Sequence, residues 1–280
     1  MLYSHTFNER LLMPYWIQHH ANMFDKAYIF DYGSTDSTIE TIKRLAPSSW
    51  TVIKSANVDF DARAVDQEIM QMEAWCDNCW KLVLTTTEFL VHEDLRKELA
   101  ERDAHLGDVR CLQIPMVMMV DDTKEPLLQH KSLPSQRSQF IRTGGQSYVR
   151  YMHNFFAGEY TYGVGRHVLN TKKTTKCELT QNSIIFKYKF SPWPEVRPRL
   201  SQVGTRIPKK DEEQRLGIQH TKLKNNLTAV DAQYAAYCAG GSWNAFNFDE
   251  SCVDNANLCL PHGYCMTCAV HQIIKELFYT

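Results

Sequence analysis

The first ninety residues alternate between short apolar runs and longer stretches whose apolar positions recur at helical spacing. Residues 2–7, 26–31, 51–54 and 80–84 read as strands, each rich in β-branched or aromatic residues and each stopped by polar or turn residues. Between the first two, residues 11–23 carry Leu12, Trp16, Ile17 and Met23 at the period of one helix face, with Pro14 in the first turn, where its missing N–H is tolerated. Residues 37–45 open with the Ser-x-x-Glu spacing of a capping box, Ser37 to Glu40, and stop at Ala46-Pro47. Residues 61–75 form the next helical stretch, with Arg63 and Gln67 one turn apart on one face. This strand–helix alternation predicts a mostly parallel central sheet flanked by helices, an α/β fold of Rossmann-like layout.

The pattern changes in the second half. A helix over 95–106 and an apolar strand over 110–120, ending in Asp121-Asp122, precede shorter strands at 138–142, 148–151 and 183–188. Residues 143–146 and 158–165, rich in glycine, read as mobile loops of the kind that close over substrates. Residues 192–194 and the basic segment 197–210 read as an extended bridge, followed by a helix over 223–238. Beyond Gly240 lies a Cys-rich appendage that ends in an amphipathic helix over 269–278. The expected division is a catalytic domain over 1–205 and a C-terminal helical, Cys-rich extension over 206–280.

Composition narrows the function classes. With 31 Lys+Arg against 32 Asp+Glu in 280 residues, the net charge of -1 supplies no global field toward nucleic acid or an anionic membrane. The longest apolar run, Cys111 to Val120, contains Gln113 and Pro115 and is too short to cross a bilayer, so no transmembrane segment is expected. The N-terminus lacks a basic region followed by an apolar one, and a cytoplasmic protein is expected. The nine Cys are then thiols or metal ligands rather than disulfides. Cys76 and Cys79 have zinc-knuckle spacing but sit at a helix end before a buried strand, which favours core thiols. Cys252, Cys259, Cys265 and Cys268, with His262 nearby, form a better candidate for structural zinc; the alternative is buried thiols packed near Cys238.

Chemistry in an open α/β sheet belongs beyond the carboxyl ends of the strands. Asp31 ends the second strand, followed by Gly33, Ser34 and Asp36; it suits hydrogen bonding to a base or ribose, and equally an ordinary strand-to-helix turn. Neither Gly-x-Gly-x-x-Gly nor Gly-x-x-x-x-Gly-Lys follows any of the strands, which disfavours dehydrogenase and P-loop readings.

Taken in order, Asn8-Glu9, the helix Leu12-Met13-Pro14-Tyr15-Trp16-Ile17-Gln18-His19-His20, the loop Asp31 to Thr38 and the segment Trp80 to Leu90 resemble the family-2-like glycosyltransferases of GT-A fold, of the type found in large DNA viruses of algae and in bacterial polysaccharide loci. The resemblance covers about the first 95 residues, with looser matches at 138–153 and 206–220. It implies transfer of a hexosyl or deoxyhexosyl unit from a nucleoside-diphosphate sugar, UDP-linked or similar, to a hydroxyl of a glycan or glycoprotein, with inversion. Carried over by position, it places Phe7, Asn8 and Glu9 beside the nucleotide base, Asp31 on base or ribose, and Arg63 and Gln67 near the donor sugar or diphosphate. The chain departs from the family where Asp-x-Asp-Glu-Phe-Leu is usual: here Thr85-Thr86-Thr87-Glu88-Phe89-Leu90 replaces both carboxylates by hydroxyls.

Transfer needs a base for the acceptor proton and positive charge on the departing diphosphate. Asp121 and Asp122 are the base candidates, with His153 as an alternative and a solvated turn as the other reading of the Asp pair, while Arg206 and His220 are positioned in sequence to fold over the diphosphate. Lys209 and Lys210 read as a solvated helix face. The loss of the acidic pair leaves Glu88 as the expected centre of a weak, donor-dependent Mn or Mg site, with His153 as a further ligand; Glu88 as the buried partner of an Arg is the alternative. Two other readings stand beside a glycosyltransferase: a nucleotide-sugar-binding protein without turnover, and a nucleotidyltransferase, whose Gly-rich basic loop is absent here.

Overall fold

Strand β1 (Leu2–Thr6), helix α1 (Met13–His20), β2 (Ala27–Asp31), α2 (Thr38–Leu45), β3 (Trp50–Lys54), α3 (Ala62–Glu73) and β4 (Lys81–Val83) follow one another as the periodicity predicts. The computed structural model describes residues 1–92, 94–104, 110–121, 125–141, 149–172, 177–180 and 182–239 and the strand 243–245. β1 pairs in parallel with β2 and β4, and β2 in parallel with β3. The order β3-β2-β1-β4 therefore reverses direction at β1, so the loops that leave β1 and β4 diverge and open a crevice at the carboxyl edge.

Beyond β4 the sheet is mixed rather than mostly parallel. The chain turns at Thr85–Thr87, where the Glu88 N–H donates to the Thr85 carbonyl (2.9 Å), and restarts as β5 (Glu88–His92). Helix α4 (Leu95–Ala104), the long β6 (Cys111–Met119), the short α5 (Leu133–Gln136), β7 (Gln139–Ile141), β8 (Val149–His153), the hairpin β9 (Tyr160–Tyr162) and β10 (Leu169–Thr171), β11 (Glu178–Leu179) and β12 (Ser183–Lys187) complete this half. β6 is antiparallel to β7 and β8 and parallel to β12, and β8 is antiparallel to β4. Antiparallel partners here are distant in sequence, so no local period announces them.

The segment 197–210 is helical, not an extended bridge. Helix α6 (Arg197–Val203) has Pro198 in its first turn, and a 3-10 turn (Gly204–Arg206) follows. α7 (Lys209–Glu213), α8 (Ile218–Thr221) and α9 (Leu227–Ala239) then pack back on the sheet, and β13 (Trp243–Ala245) pairs antiparallel with β7. The Asp211 carboxylate accepts from the Ala62 N–H (2.9 Å) and the Phe60 N–H donates to the Arg206 carbonyl (2.8 Å), tying this segment to the start of α3. Residues 158–165 are likewise structured: they include β9 and the turn in which the Gly165 N–H donates to Asp66 (3.0 Å). Residues 143–146, Asp122, His262, Cys252, Cys259, Cys265, Cys268 and the helix expected over 269–278 lie outside the described residues.

Two cysteine expectations are corrected, because Cys76 is bonded to Cys79 and Cys111 to Cys177, the latter joining the start of β6 to the approach to β11. Among the described residues, no helix is long and apolar enough to cross a membrane.

Trp16, Ile17, Leu82, Phe89, Ile185 and Phe186 anchor the core between α1 and the sheet. Buried histidines complete hydrogen bonding that the apolar layer cannot. His20 Nδ1 donates to the Trp16 carbonyl (2.9 Å) and its Nε2 accepts from the Leu90 N–H (3.1 Å). Burial keeps such rings neutral: His19 is pulled down to about 4, His153, His167 and His220 to about 3, and His5 and His20 well below the usual imidazole range. As pH falls through the unfolded histidine value, the unfolded chain takes up protons that the folded one refuses, so stability is lost. Glu73, raised by burial to about 7, acts in the opposite direction but is a single group. A net loss on the order of 2 kcal/mol between pH 7 and pH 6 is expected; urea midpoints unchanged over that interval would contradict it.

Candidate functional site

Two chambers of 150 and 260 Å³ open at the switch point between β1 and β4, and both are lined by His5, Phe60, Thr85, Lys187, Lys189 and His220. The first adds Phe7, Glu9, Tyr32, Thr86, Thr87, Arg199 and Arg206. The second adds Asp66, Met118, Arg150, Arg166 and His167 with the edge of α9 at Tyr237. β1, β2, β4 and β12 supply the floor, and α6 with the turns after it supplies the roof.

One wall is aromatic. His5 stands 5.3 Å from Phe60 and 6.0 Å, edge-on, from Tyr32, and the Arg206 guanidinium lies 4.5 Å over the Phe7 ring. Arg206 Nη2 donates to the Tyr32 carbonyl (3.0 Å) and to that of Val58, which fixes the guanidinium at the mouth. Flat rings beside a fixed cation suit stacking of a planar heteroaromatic group.

The opposite wall is cationic, and its carboxylates are already engaged. Arg199 grips Glu9 through Nε (2.8 and 2.7 Å) and Nη2 (2.5 Å), and Arg166 pairs with Asp66. Glu88, fully buried behind the threonines, accepts from Arg150 Nη2 (2.7 Å) and Nε (2.9 Å), from Lys187 Nζ (3.0 Å) and from the Thr85 N–H (3.0 Å). Burial by itself raises the Glu88 carboxyl; Arg150 and Lys187 overcome that and hold it well below the usual carboxylate range. Lys189 and Arg206 have no carboxylate partner among the described residues. Lys189 rests against the rings of Phe190 (4.8 Å) and Tyr237 (5.8 Å), and burial together with Lys187 and Arg199 pulls its ammonium down to about 8.

His220 reaches this wall through two glycines. Gly217, at φ 69°, starts α8 in a conformation that a side chain resists, and a Cβ there would press on Ile207 Cδ1 at 2.9 Å. A Cβ on Gly204 would overlap the His220 carbonyl. Among the described residues, His220 Nδ1 is buried without a hydrogen-bond partner, and burial together with Lys189, Arg199 and Lys187 keeps the ring neutral.

Several residues singled out from sequence sit elsewhere. Asn8, Asp31, Gly33, Ser34 and Asp36 stitch two loops together rather than line either chamber. Asp31 closes on the Gly33 and Ser34 N–H groups (both 3.1 Å), while Asn8 Oδ1 accepts from the Thr35 N–H (2.8 Å). The expected capping box does not form, because Asp36 caps α2 through the Thr38 N–H (3.0 Å). On α3 it is Ala62, Val65 and Asp66 that face the second chamber; Arg63 and Gln67, each one position further round the helix, are exposed.

Neither His153 nor Asp121 is open to a substrate. His153 Nδ1 accepts from the Phe155 N–H (3.3 Å) and Nε2 bonds the Tyr162 hydroxyl (2.8 Å), which itself donates to Glu73 (3.0 Å). Both ring nitrogens are thus engaged within the protein, unlike the base or metal ligand expected from sequence. Asp121 lies buried 2.5 Å from Arg137 Nε and accepts from Ser191 and the Trp193 N–H (both 3.3 Å).

The residues present do not fit a divalent cation at this position. The Thr85 and Thr87 hydroxyls bond each other (2.9 Å), Glu88 is saturated by two cations, and among the described residues no three His, Cys, Asp or Glu side chains converge. This corrects the expected Glu88 metal site in favour of its alternative, an arginine partner. Lys187, Lys189 and Arg199 were not singled out from sequence, although the alternation Phe186-Lys187-Tyr188-Lys189-Phe190 places both lysines on one side of a strand end.

No protein-family model matches the chain, and no curated protein matches it in sequence. Among solved structures, the chain is similar to S. aureus TarS 1-349 in complex with UDP-GlcNAc, at 10% identity over 94% of this chain and 97% of that one, with a TM-score of 0.40. It spans 22% of the longer TarS chain, at a TM-score of 0.30. It is also similar to the mannosyltransferase PcManGT from Pyrobaculum calidifontis in complex with GDP-Man and Mn2+, at 14% identity over 86% of this chain and 75% of that one, with a TM-score of 0.36. These likenesses are distant.

Proposed function

We propose that the cleft binds a nucleoside-diphosphate sugar and transfers its sugar, a hexose or deoxyhexose, to an acceptor hydroxyl of a glycan or glycoprotein. The observation that carries this is a crevice at the sheet's switch point with an aromatic wall facing a cluster of cations that its own carboxylates do not neutralise. A base stacked on Phe7, Tyr32 and Phe60 brings a diphosphate toward Lys187, Lys189 and Arg199, which leaves the sugar for the second chamber. The acceptor oxygen attacks the anomeric carbon, the bond from that carbon to the phosphate oxygen breaks, and its electron pair leaves on the diphosphate. His220 takes the acceptor proton at Nδ1. Burial depresses the imidazole most and Lys189, Arg199 and Lys187 add to it; a bound diphosphate offsets the contribution of those charges and so raises the ring's basicity when substrate is present. Single displacement inverts the anomeric centre.

The pairing of every carboxylate on the cleft wall favours a second reading, a nucleotide-sugar-binding protein without turnover. Offering UDP-, GDP- and dTDP-sugars and following both binding and nucleoside diphosphate release separates the two. Release that rises with an added acceptor is expected; binding without release supports the second reading, and no binding at all sinks both.

A further inference from the structure

We infer that this cleft holds the diphosphate without a divalent ion, and that Lys189, supported by Lys187 and Arg199, carries the positive charge that stabilises the leaving group. The inference rests on the donor reading above and adds what neutralises the donor's phosphates.

Three observations converge on it. The hydroxyls of Thr85 and Thr87, which stand where the resemblance has its acidic pair, are neutral and bond each other, and Glu88 beside them is enclosed by Arg150 and Lys187. A hard cation placed there would meet neutral oxygens and two positive side chains, so binding it costs more than it returns. Second, Lys187 and Arg199 share the chamber wall with Lys189 and lie near enough, beyond the effect of its burial, to disfavour the Lys189 charge, which an anion bound in that chamber would offset. Third, these cations divide into those already spoken for and one that is not. Arg199 is held by Glu9, Lys187 shares Glu88, and Arg206 is fixed on the Tyr32 and Val58 carbonyls. Lys189 has no carboxylate partner among the described residues, rests against two ring faces, lines both chambers, and sits where the diphosphate joins the sugar in the proposed pose. An ammonium there needs no coordination geometry and follows the charge as it builds on the departing oxygen.

The test is calorimetric titration of the full chain with inorganic pyrophosphate, UDP and GDP, each in excess EDTA and in manganese. Affinity in EDTA within about twofold of that in manganese is expected, with at least a tenfold weakening in Lys189→Met and recovery in Lys189→Arg. Thermal unfolding of each variant checks that it is folded. Binding that disappears in EDTA, or Lys189→Met binding like the parent, overturns the inference while leaving the donor reading intact. Pyrophosphate binding through Lys189 with neither UDP nor GDP bound more tightly overturns the donor reading and leaves the anion site. If none of the probes binds in either buffer, both fall.

Discussion

Glu88→Gln is expected to lower folding stability by about 3–5 kcal/mol, the usual cost of removing one partner from a buried ion pair. The carboxylate is fully buried and receives two hydrogen bonds from Arg150, one from Lys187 and one from the Thr85 N–H. A neutral amide keeps the shape but offers one acceptor oxygen and two donors that face cations, so Arg150 and Lys187 are left charged and largely uncompensated. Arg150 also donates to the Gly165 carbonyl (2.6 Å), so its displacement reaches the turn that walls the second chamber. Urea unfolding gives the loss directly, and Glu88→Gln combined with Arg150→Met should regain part of it, since the buried charge is removed with its partner. The response to manganese should be the same in parent and variant. A stable Glu88→Gln protein that has lost a manganese response would restore the metal site and overturn the ion-pair account.

Asp121→Ala is expected to destabilise by a similar amount and to leave turnover per folded molecule unchanged. Its carboxylate is buried against Arg137, whose other nitrogens donate to the Gln136 carbonyl (2.9 Å) and to that of Glu125, and it also holds Ser191 and the Trp193 N–H. Removing it leaves a buried guanidinium short of its counter-charge and frees the chain between β12 and α6. Loss of a general base would instead cost about 10²–10⁴ in rate at little cost in stability. Steady-state rates measured on protein whose folded fraction is known distinguish the two outcomes, and a rate loss of that size without destabilisation would return Asp121 to the reaction.

Both variants concern residues that a sequence offers as chemistry because their type and place at strand ends suit it. For Glu88 the pairing that engages its carboxylate is with Arg150, 62 residues away, on β8, a strand that joins β5 only through β6 and β12. Asp31 and Asp36 show the same limit at short range. A carboxylate two or three residues from a free N–H has a local partner, and that partner is as visible in the chain as the ligand it was expected to meet. Phe7, Glu9, Thr85, Thr87, Arg206 and His220 lie on the cleft wall, each at or just beyond a strand end or in the basic segment that closes over it. Arg199 lies in the same segment, but an extended bridge has no face, and the helix that aims it at Glu9 is built on Pro198 in its first turn.

The sequence by itself determined the elements from β1 to β4 and their mostly parallel arrangement, because periodicity, prolines and turn residues act within a few positions; the strand order that opens the crevice came with the tertiary structure. Only the tertiary structure decided the rest. The antiparallel half is set by pairing between distant strands, and the helical roof is held by contacts such as Asp211 to Ala62. The partition of charges follows from these: a buried ion is stable only beside its counter-ion, so the fold, by choosing which Arg meets which carboxylate, also chose which cations of the cleft have no carboxylate partner among the described residues.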